Sequence, residues 1–161
     1  MKKLVIAVLA GLALNVTHAA GYGVIDLERV VQNSSYLKQQ NTSLQNTIKP
    51  QTSQLEQLQK DLAGIQQKGQ AAKTQAEREQ LAKEFEAKAE QAAKLQQQVQ
   101  NTVQSSMQNV NKTFEGRVKS TAEQLRQENK LDFILNKNAA LAYDVKADLT
   151  DKMIQKVNAI K

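Results

Sequence analysis

The chain contains no cysteine and no tryptophan, and its one histidine is His18. Without cysteine no disulfide can form, so packing or oligomerisation must stabilise the fold. Histidine is the commonest general base, and histidine and cysteine are the commonest zinc ligands. Because neither residue type occurs after position 18, the composition argues against an enzyme. We expect neither a metal ion nor a cofactor.

Long hydrophobic runs are also scarce, and the one clear run is Leu4–Leu14. It is shorter than the roughly 20 apolar residues that span a bilayer. Lys2 and Lys3 precede it, and Thr17-His18-Ala19 follows with small residues at the positions of a cleavage site. This pattern predicts a signal peptide over residues 1–19, cleaved after Ala19, and export to the periplasm. An uncleaved N-terminal anchor is the less favoured alternative.

Proline and glycine, which interrupt helices, are rare in the middle of the chain. Pro50 is the only proline, and residues 39–127 are rich in Gln, Ala, Lys and Glu, a composition that favours helix. Apolar residues recur there with coiled-coil spacing in two stripes. We predict a helical hairpin over residues 38–129, an arm whose tip lies near residues 64–70. The glycines at 64 and 69 would permit the turn.

Short apolar segments on both sides of the arm predict a small β-containing body over residues 20–37 and 130–161. Strands are predicted at 22–27, 131–135 and 141–144, followed by a terminal helix. The fold class is therefore mainly α with a small β body from which the long hairpin projects. Such a body has a marginal core by itself, and association with other copies would stabilise it.

The predicted tip carries basic residues without acidic neighbours. Between residues 62 and 76 the only charged residues are Lys68 and Lys73. They are either a solvated surface or an attractive patch for acidic polypeptides and anionic lipid headgroups. Nucleic acid is not an expected partner, because the protein is exported and the tip lacks aromatic residues. The candidate binding residues on the arm are Lys60, Lys68, Lys73, Arg78 and Lys83.

Pro50 lies inside the first apolar stripe, where it removes a backbone hydrogen bond and should kink the helix. With a turn near residue 67, position 50 would face Phe85 on the returning helix. Two interpretations remain open. The Pro50–Phe85 pair is either a flexible joint that lets the arm move or a static kink that Phe85 fills.

The order of these segments resembles the Skp/OmpH family of periplasmic chaperones. The resemblance rests on the strand Gly23–Leu27, the hairpin, the segments Leu131–Leu135 and Ala140–Asp144, and the final helix. It implies a homotrimer whose arms enclose a cavity for unfolded outer-membrane proteins, held without ATP. The residues expected to form the trimer core are Val24, Ile25, Leu27, Phe133, Ile134, Leu135 and Leu141.

The resemblance also implies lipopolysaccharide binding through a basic cluster on the second arm helix. The corresponding residues here, about 96–108, include no charged residue, which argues against this partner. The alternative function is a non-enzymatic periplasmic adaptor or spacer that bridges envelope complexes. Proteins of that kind usually have larger β domains beside the hairpin, and this chain lacks them.

Overall fold

The computed structural model of the protein describes residues 21–160. The predicted signal peptide lies outside this range. Two long antiparallel helices form an arm, and the segments before and after them form a small body. The predicted fold class is confirmed. Within residues 21–160, no helix combines the length and the apolar character needed to cross a bilayer.

The arm consists of α2, Ser35–Ala71, and α3, Gln75–Glu128, the second and third helices of residues 21–160. Helix α3 has 54 residues, which corresponds to about 80 Å at 1.5 Å per residue. Leu58, Ile65 and Leu95 are buried along the seam between the helices. Most other arm side chains are exposed or half-buried. The narrow seam agrees with the coiled-coil spacing of the sequence.

The turn of the hairpin lies at residues 72–74, later than the predicted tip at 64–70. Helix α2 continues through both Gly64 and Gly69. A glycine inside a helix costs only about 1 kcal/mol relative to alanine, so two of them do not end a helix supported by tertiary packing. The reversal is instead stabilised by Thr74, which caps the start of α3 in a capping box with Glu77.

The body contains two parallel strands, β1 at Tyr22–Ile25 and β2 at Phe133–Asn136. Tyr22 pairs with Phe133, and Ile25 pairs with Asn136. The arm serves as the long crossover connection that a parallel pair requires. Short helix α1, Leu27–Gln32, follows β1, and α4, Thr150–Ala159, ends the described chain. Two 3-10 turns, Lys137–Ala139 and Val145–Ala147, lie between β2 and α4.

The predicted third strand at residues 141–144 does not form. Leu141 and Ala142 lie in a bend, and the Asp144 amide donates to the Tyr22 hydroxyl at 3.3 Å. The free edge of β1 is occupied a few residues later, where Val24 forms a bridge with Asp148 and its carbonyl accepts from the Leu149 amide at 2.8 Å. Because Asp148 and Leu149 take that edge, the preceding segment has no backbone partner there.

The body core lies where α4 packs against β1, α1 and the last turns of α3. Its largest fully buried apolar side chains are Leu125, Met153, Val24, Val30 and Val157. Since Leu125 belongs to α3, the base of the arm is part of the body core. Burial of these side chains holds the arm and the body together.

Polar contacts also connect the base of the arm to α4. The Asn158 carboxamide oxygen accepts from the Ser35 amide at 2.8 Å and from the Ser35 hydroxyl at 3.0 Å. The Arg117 guanidinium stacks over the Tyr36 ring at 4.1 Å and donates to the Ile160 carbonyl at 2.7 Å. These contacts orient the first turn of α2 relative to the body.

Candidate functional site

Side-chain hydrogen bonds of Glu77 and Arg78 stabilise the turn at the tip of the arm. The Glu77 carboxylate accepts from the amides of Thr74 and Lys73, both at 3.2 Å. These backbone hydrogen bonds lower the pKa of Glu77. The Arg78 guanidinium donates through Nε and Nη2 to the Ala72 carbonyl at 3.2 and 3.1 Å. Arg78 therefore stabilises the turn, in addition to the binding role predicted for it.

The other four basic candidates, Lys60, Lys68, Lys73 and Lys83, are exposed. Within residues 21–160 none of them forms an ion pair. Lys68 lies beside Glu77 in a groove at the tip. Their ammonium groups are available to solvent and to a partner. Their role in binding remains a prediction.

An ion pair between Asp61 and Lys88 connects the two helices of the arm. The Lys88 Nζ donates to the Asp61 Oδ2 at 2.7 Å, and Gln57 donates to the other carboxylate oxygen at 2.8 Å. The hydrogen bond with Lys88 lowers the pKa of Asp61 and raises that of Lys88. The sequence offered no signal for this pair, because the partner of Asp61 depends on where the turn lies.

The Asp61–Lys88 pair shows that Pro50 and Phe85 do not face each other. Pro50 lies eleven residues before Asp61, away from the tip, whereas Phe85 lies on the tip side of Lys88. At 1.5 Å per residue the two are about 20 Å apart along the arm. Phe85 instead lines a groove with Ile65 and Gly69. The predicted pairing is wrong because it assumed a turn near residue 67.

The residues predicted to form the trimer core fall into two groups. Val24 and Ile25 are 0% and 2% exposed within a single chain. Leu27 and Ile134 are half-buried against the same core. Phe133, Leu135 and Leu141 are instead exposed, Leu141 completely. The first group packs within the chain, and only the second group offers an apolar surface to another molecule.

Two further side chains extend this exposed surface. Tyr22 stacks on Phe133 with 6.5 Å between ring centroids, and Val145 is 82% exposed. Strand alternation could not have identified Tyr22 as exposed, since it places Tyr22 on the same face as Val24, which is buried. No local pattern could have identified Val145 in its 3-10 turn. We call this surface the apolar body face, which comprises Tyr22, Phe133, Leu135, Leu141 and Val145.

The sequence model of the family described as outer membrane protein (OmpH-like) matches residues 21–157. The chain belongs to this family. The match covers the complete arm of this OmpH-like protein and the body as far as residue 157, and it confirms the resemblance found in the sequence. No curated relative matches the chain.

A crystal structure from Caulobacter crescentus CB15 has the same fold as this OmpH-like protein. That protein is provisionally assigned as an outer membrane chaperone (OmpH-like). The two structures superpose with a TM-score of 0.67, covering 88% of this chain and 85% of the other, at 21% sequence identity. At this identity the similarity establishes the fold, including the long hairpin and the small body.

Proposed function

We propose that this OmpH-like protein is an ATP-independent holdase of the periplasm. It binds unfolded outer-membrane proteins and prevents their aggregation before they insert into the membrane. Membership of the OmpH-like family supports this function. The observation that carries it is the long polar arm, which extends far from the body core and presents most of its surface to solvent.

The holdase acts as a homotrimer in this proposal. Within residues 21–160, β2 pairs only with β1, so its second edge has no backbone partner. Three residues of the apolar body face, Tyr22, Phe133 and Leu135, lie on the same small sheet, and Leu141 and Val145 follow it in the chain. An exposed strand edge next to exposed Phe133, Leu135 and Leu141 is a surface suited to association with other copies. Association at the body would place three arms around a common space.

Holding an unfolded chain requires many weak contacts and no tight binding site. Contacts from several arms act together and raise the overall affinity without demanding a particular client sequence. The unpaired lysines at positions 60, 68, 73 and 83 add local attraction for acidic segments, most of all at the tip, where Lys68 and Lys73 are the only charges between residues 62 and 76. No nucleotide is needed, because release follows from the weakness of each contact.

The proposal is tested by diluting an unfolded outer-membrane barrel protein from denaturant into buffer with the purified protein. We expect the protein to suppress light scattering without nucleotide or added metal. A soluble protein of similar size and net charge serves as the control. Scattering equal to that control would contradict the holdase function and favour the adaptor alternative.

A further inference from the structure

The two helices of the arm each contain a stretch almost without charge, and the fold places these stretches side by side. Residues 95–111 of α3 carry no charged side chain, and residues 39–55 of α2 carry only Lys49. Counting outward from the Asp61–Lys88 pair places residue 55 opposite about residue 94 and residue 39 opposite about residue 110. The two stretches therefore coincide along about 25 Å of the arm.

We call residues 39–55 and 95–111 the uncharged band. The outer arm, from residue 56 to residue 94, contrasts with the band because it carries seven acidic and seven basic residues. The band lies between this charged outer half and the body. The base of α3, residues 112–128, is charged again, so the band is a distinct segment of the arm with charged segments on both sides.

The surface of the band combines apolar and amide groups. Met107 is 58% exposed, and a groove beside it is lined by half-buried Val99 and Val103. Methionine adapts its shape to different apolar partners. Glutamine and asparagine side chains both donate and accept hydrogen bonds, as does an extended backbone. The amide side chains that border the groove are Gln100, Gln104, Gln108 and Asn111.

The absence of charge determines which segments the band can hold. An apolar segment that covers a charged side chain must remove water from that charge, which is costly, whereas amides can exchange water for backbone groups. We propose that the uncharged band retains extended client segments in which apolar residues alternate with uncharged polar residues. That pattern is typical of the strands of membrane barrels. This inference rests on the proposed holdase function.

A second copy of the chain is a less suitable occupant of the band. Met107 is the only large apolar side chain there that is strongly exposed within the described residues. A lasting subunit interface needs a packed apolar centre, which one methionine does not supply. The apolar body face already offers such a centre. The band is instead suited to weak, replaceable contacts with a client.

The test introduces charges into the band without changing net charge. In the band variant, Gln104→Glu is combined with Gln108→Lys, a pair whose spacing favours helix. The matched control combines Gln66→Glu with Gln70→Lys at exposed positions of the outer arm. A labelled, unfolded outer-membrane barrel protein is bound, and its association rate and its release into excess unlabelled client are measured. Sedimentation and circular dichroism are recorded for each protein.

We expect the band variant to release the client roughly threefold faster or more, because the new charges lose water when the client covers them. Its association rate should match that of the parent, and the control should match the parent in both rates. Equal release rates for the band variant and the parent, with aggregation still suppressed, would contradict the role proposed for the band but not the holdase function. A changed oligomeric mass in the band variant would show that a second copy covers the band and would also overturn the inference. A parent protein that binds no client would overturn the holdase function itself.

Discussion

Lys88 on α3 donates to Asp61 on α2 at 2.7 Å, and among the described residues this is the only ion pair between the two arm helices. The two residues are 27 positions apart in the chain. Their contact shows which residues of α2 face which residues of α3. The positions of the uncharged band and of Pro50 relative to Phe85 follow from it.

Reversing one charge of this pair should weaken the arm, and reversing both should restore it. In Asp61→Lys, two ammonium groups face each other, so we expect a lower melting temperature. The effect should be small and should shrink between about 0.05 M and 0.5 M salt, because both side chains are partly exposed and screened. Adding Lys88→Asp should recover the parent value. The control Gln59→Lys adds a charge next to the pair, and a loss equal to that of Asp61→Lys would contradict the role of the contact.

Replacement of glycine by alanine should stabilise the protein at two positions of the arm and destabilise it at one position of the body. Gly64 and Gly69 lie in α2, and a Cβ at either position meets nothing within 4 Å. Their replacement by alanine should raise the free energy of unfolding by about 0.5–1 kcal/mol each. At Gly23 a Cβ would lie 2.8 Å from Leu149 Cδ1 and 3.0 Å from Leu131 Cδ1. Gly23→Ala should destabilise by about 1 kcal/mol or more, since Leu149 is buried in the body core and Leu131 packs against it, which leaves both side chains little room to move.

Denaturant unfolding followed by circular dichroism measures these three variants. Destabilisation by alanine at both Gly64 and Gly69 would show that these glycines are needed for a turn. That result would place the tip at residues 64–70 and contradict the turn at 72–74.

The apolar body face should control assembly. Leu141 is fully exposed in the single chain, so Leu141→Asp should leave the isolated chain folded. In a trimer the same aspartate would be an unpaired buried charge, which costs several kcal/mol. We expect a trimer for the parent and a monomer for Leu141→Asp or Phe133→Asp in sedimentation equilibrium. Val31→Asp, at an exposed apolar residue outside the face, is the control. An unchanged trimer in Leu141→Asp would rule out this face as the interface.

Acid should destabilise the protein through carboxylates with lowered pKa values. Hydrogen bonds from Arg126 and then Gln127 lower the pKa of Glu123 to about 2, and hydrogen bonding to Arg29 and Lys137 lowers that of Asp26. Groups of this kind stabilise the fold above their unfolded pKa values, near 4, and lose that contribution as pH falls through the folded values. The free energy of unfolding should therefore be nearly constant from about pH 7 to 5 and decrease between about pH 4.5 and 2.

Denaturant titrations at a series of pH values measure this dependence. The variant Glu123→Gln should show a smaller decrease below about pH 4.5 than the parent does. A constant free energy of unfolding down to about pH 2 would show that the pKa values of these carboxyl groups are the same in the folded and unfolded states.

The helical hairpin and its seam could be predicted because their signals are local. Apolar residues three and four positions apart form one face of a helix whatever the rest of the chain does. Leu58, Ile65 and Leu95 therefore lie in the seam, as their spacing indicates. The two strands were also predictable, since their short apolar runs lie between polar segments. Their bounds differ from the predicted 22–27 and 131–135, because β1 ends at Ile25, α1 begins at Leu27, and β2 is Phe133–Asn136. The family resemblance depends on the order of these local elements.

The predictions that were wrong concern features that depend on contacts between residues distant in the sequence. Gly64 and Gly69 remain helical because packing against α3 outweighs their weak local preference. The predicted third strand does not pair with β1, because Asp148 and Leu149 occupy that edge. Val24 is buried and Leu141 is exposed, although both residues are apolar. The sequence could not distinguish them, because the difference in burial depends on how α4 and residues 140–148 pack.

The sequence alone determined that this protein is a long helical hairpin attached to a small body, because helix periodicity and strand length are set by neighbouring residues. The tertiary structure decided the position of the turn and hence the register between the two helices. A one-residue shift of the turn moves every cross-helix pair by about two positions. Only the folded arm could therefore bring Asp61 to Lys88 and align the two uncharged stretches.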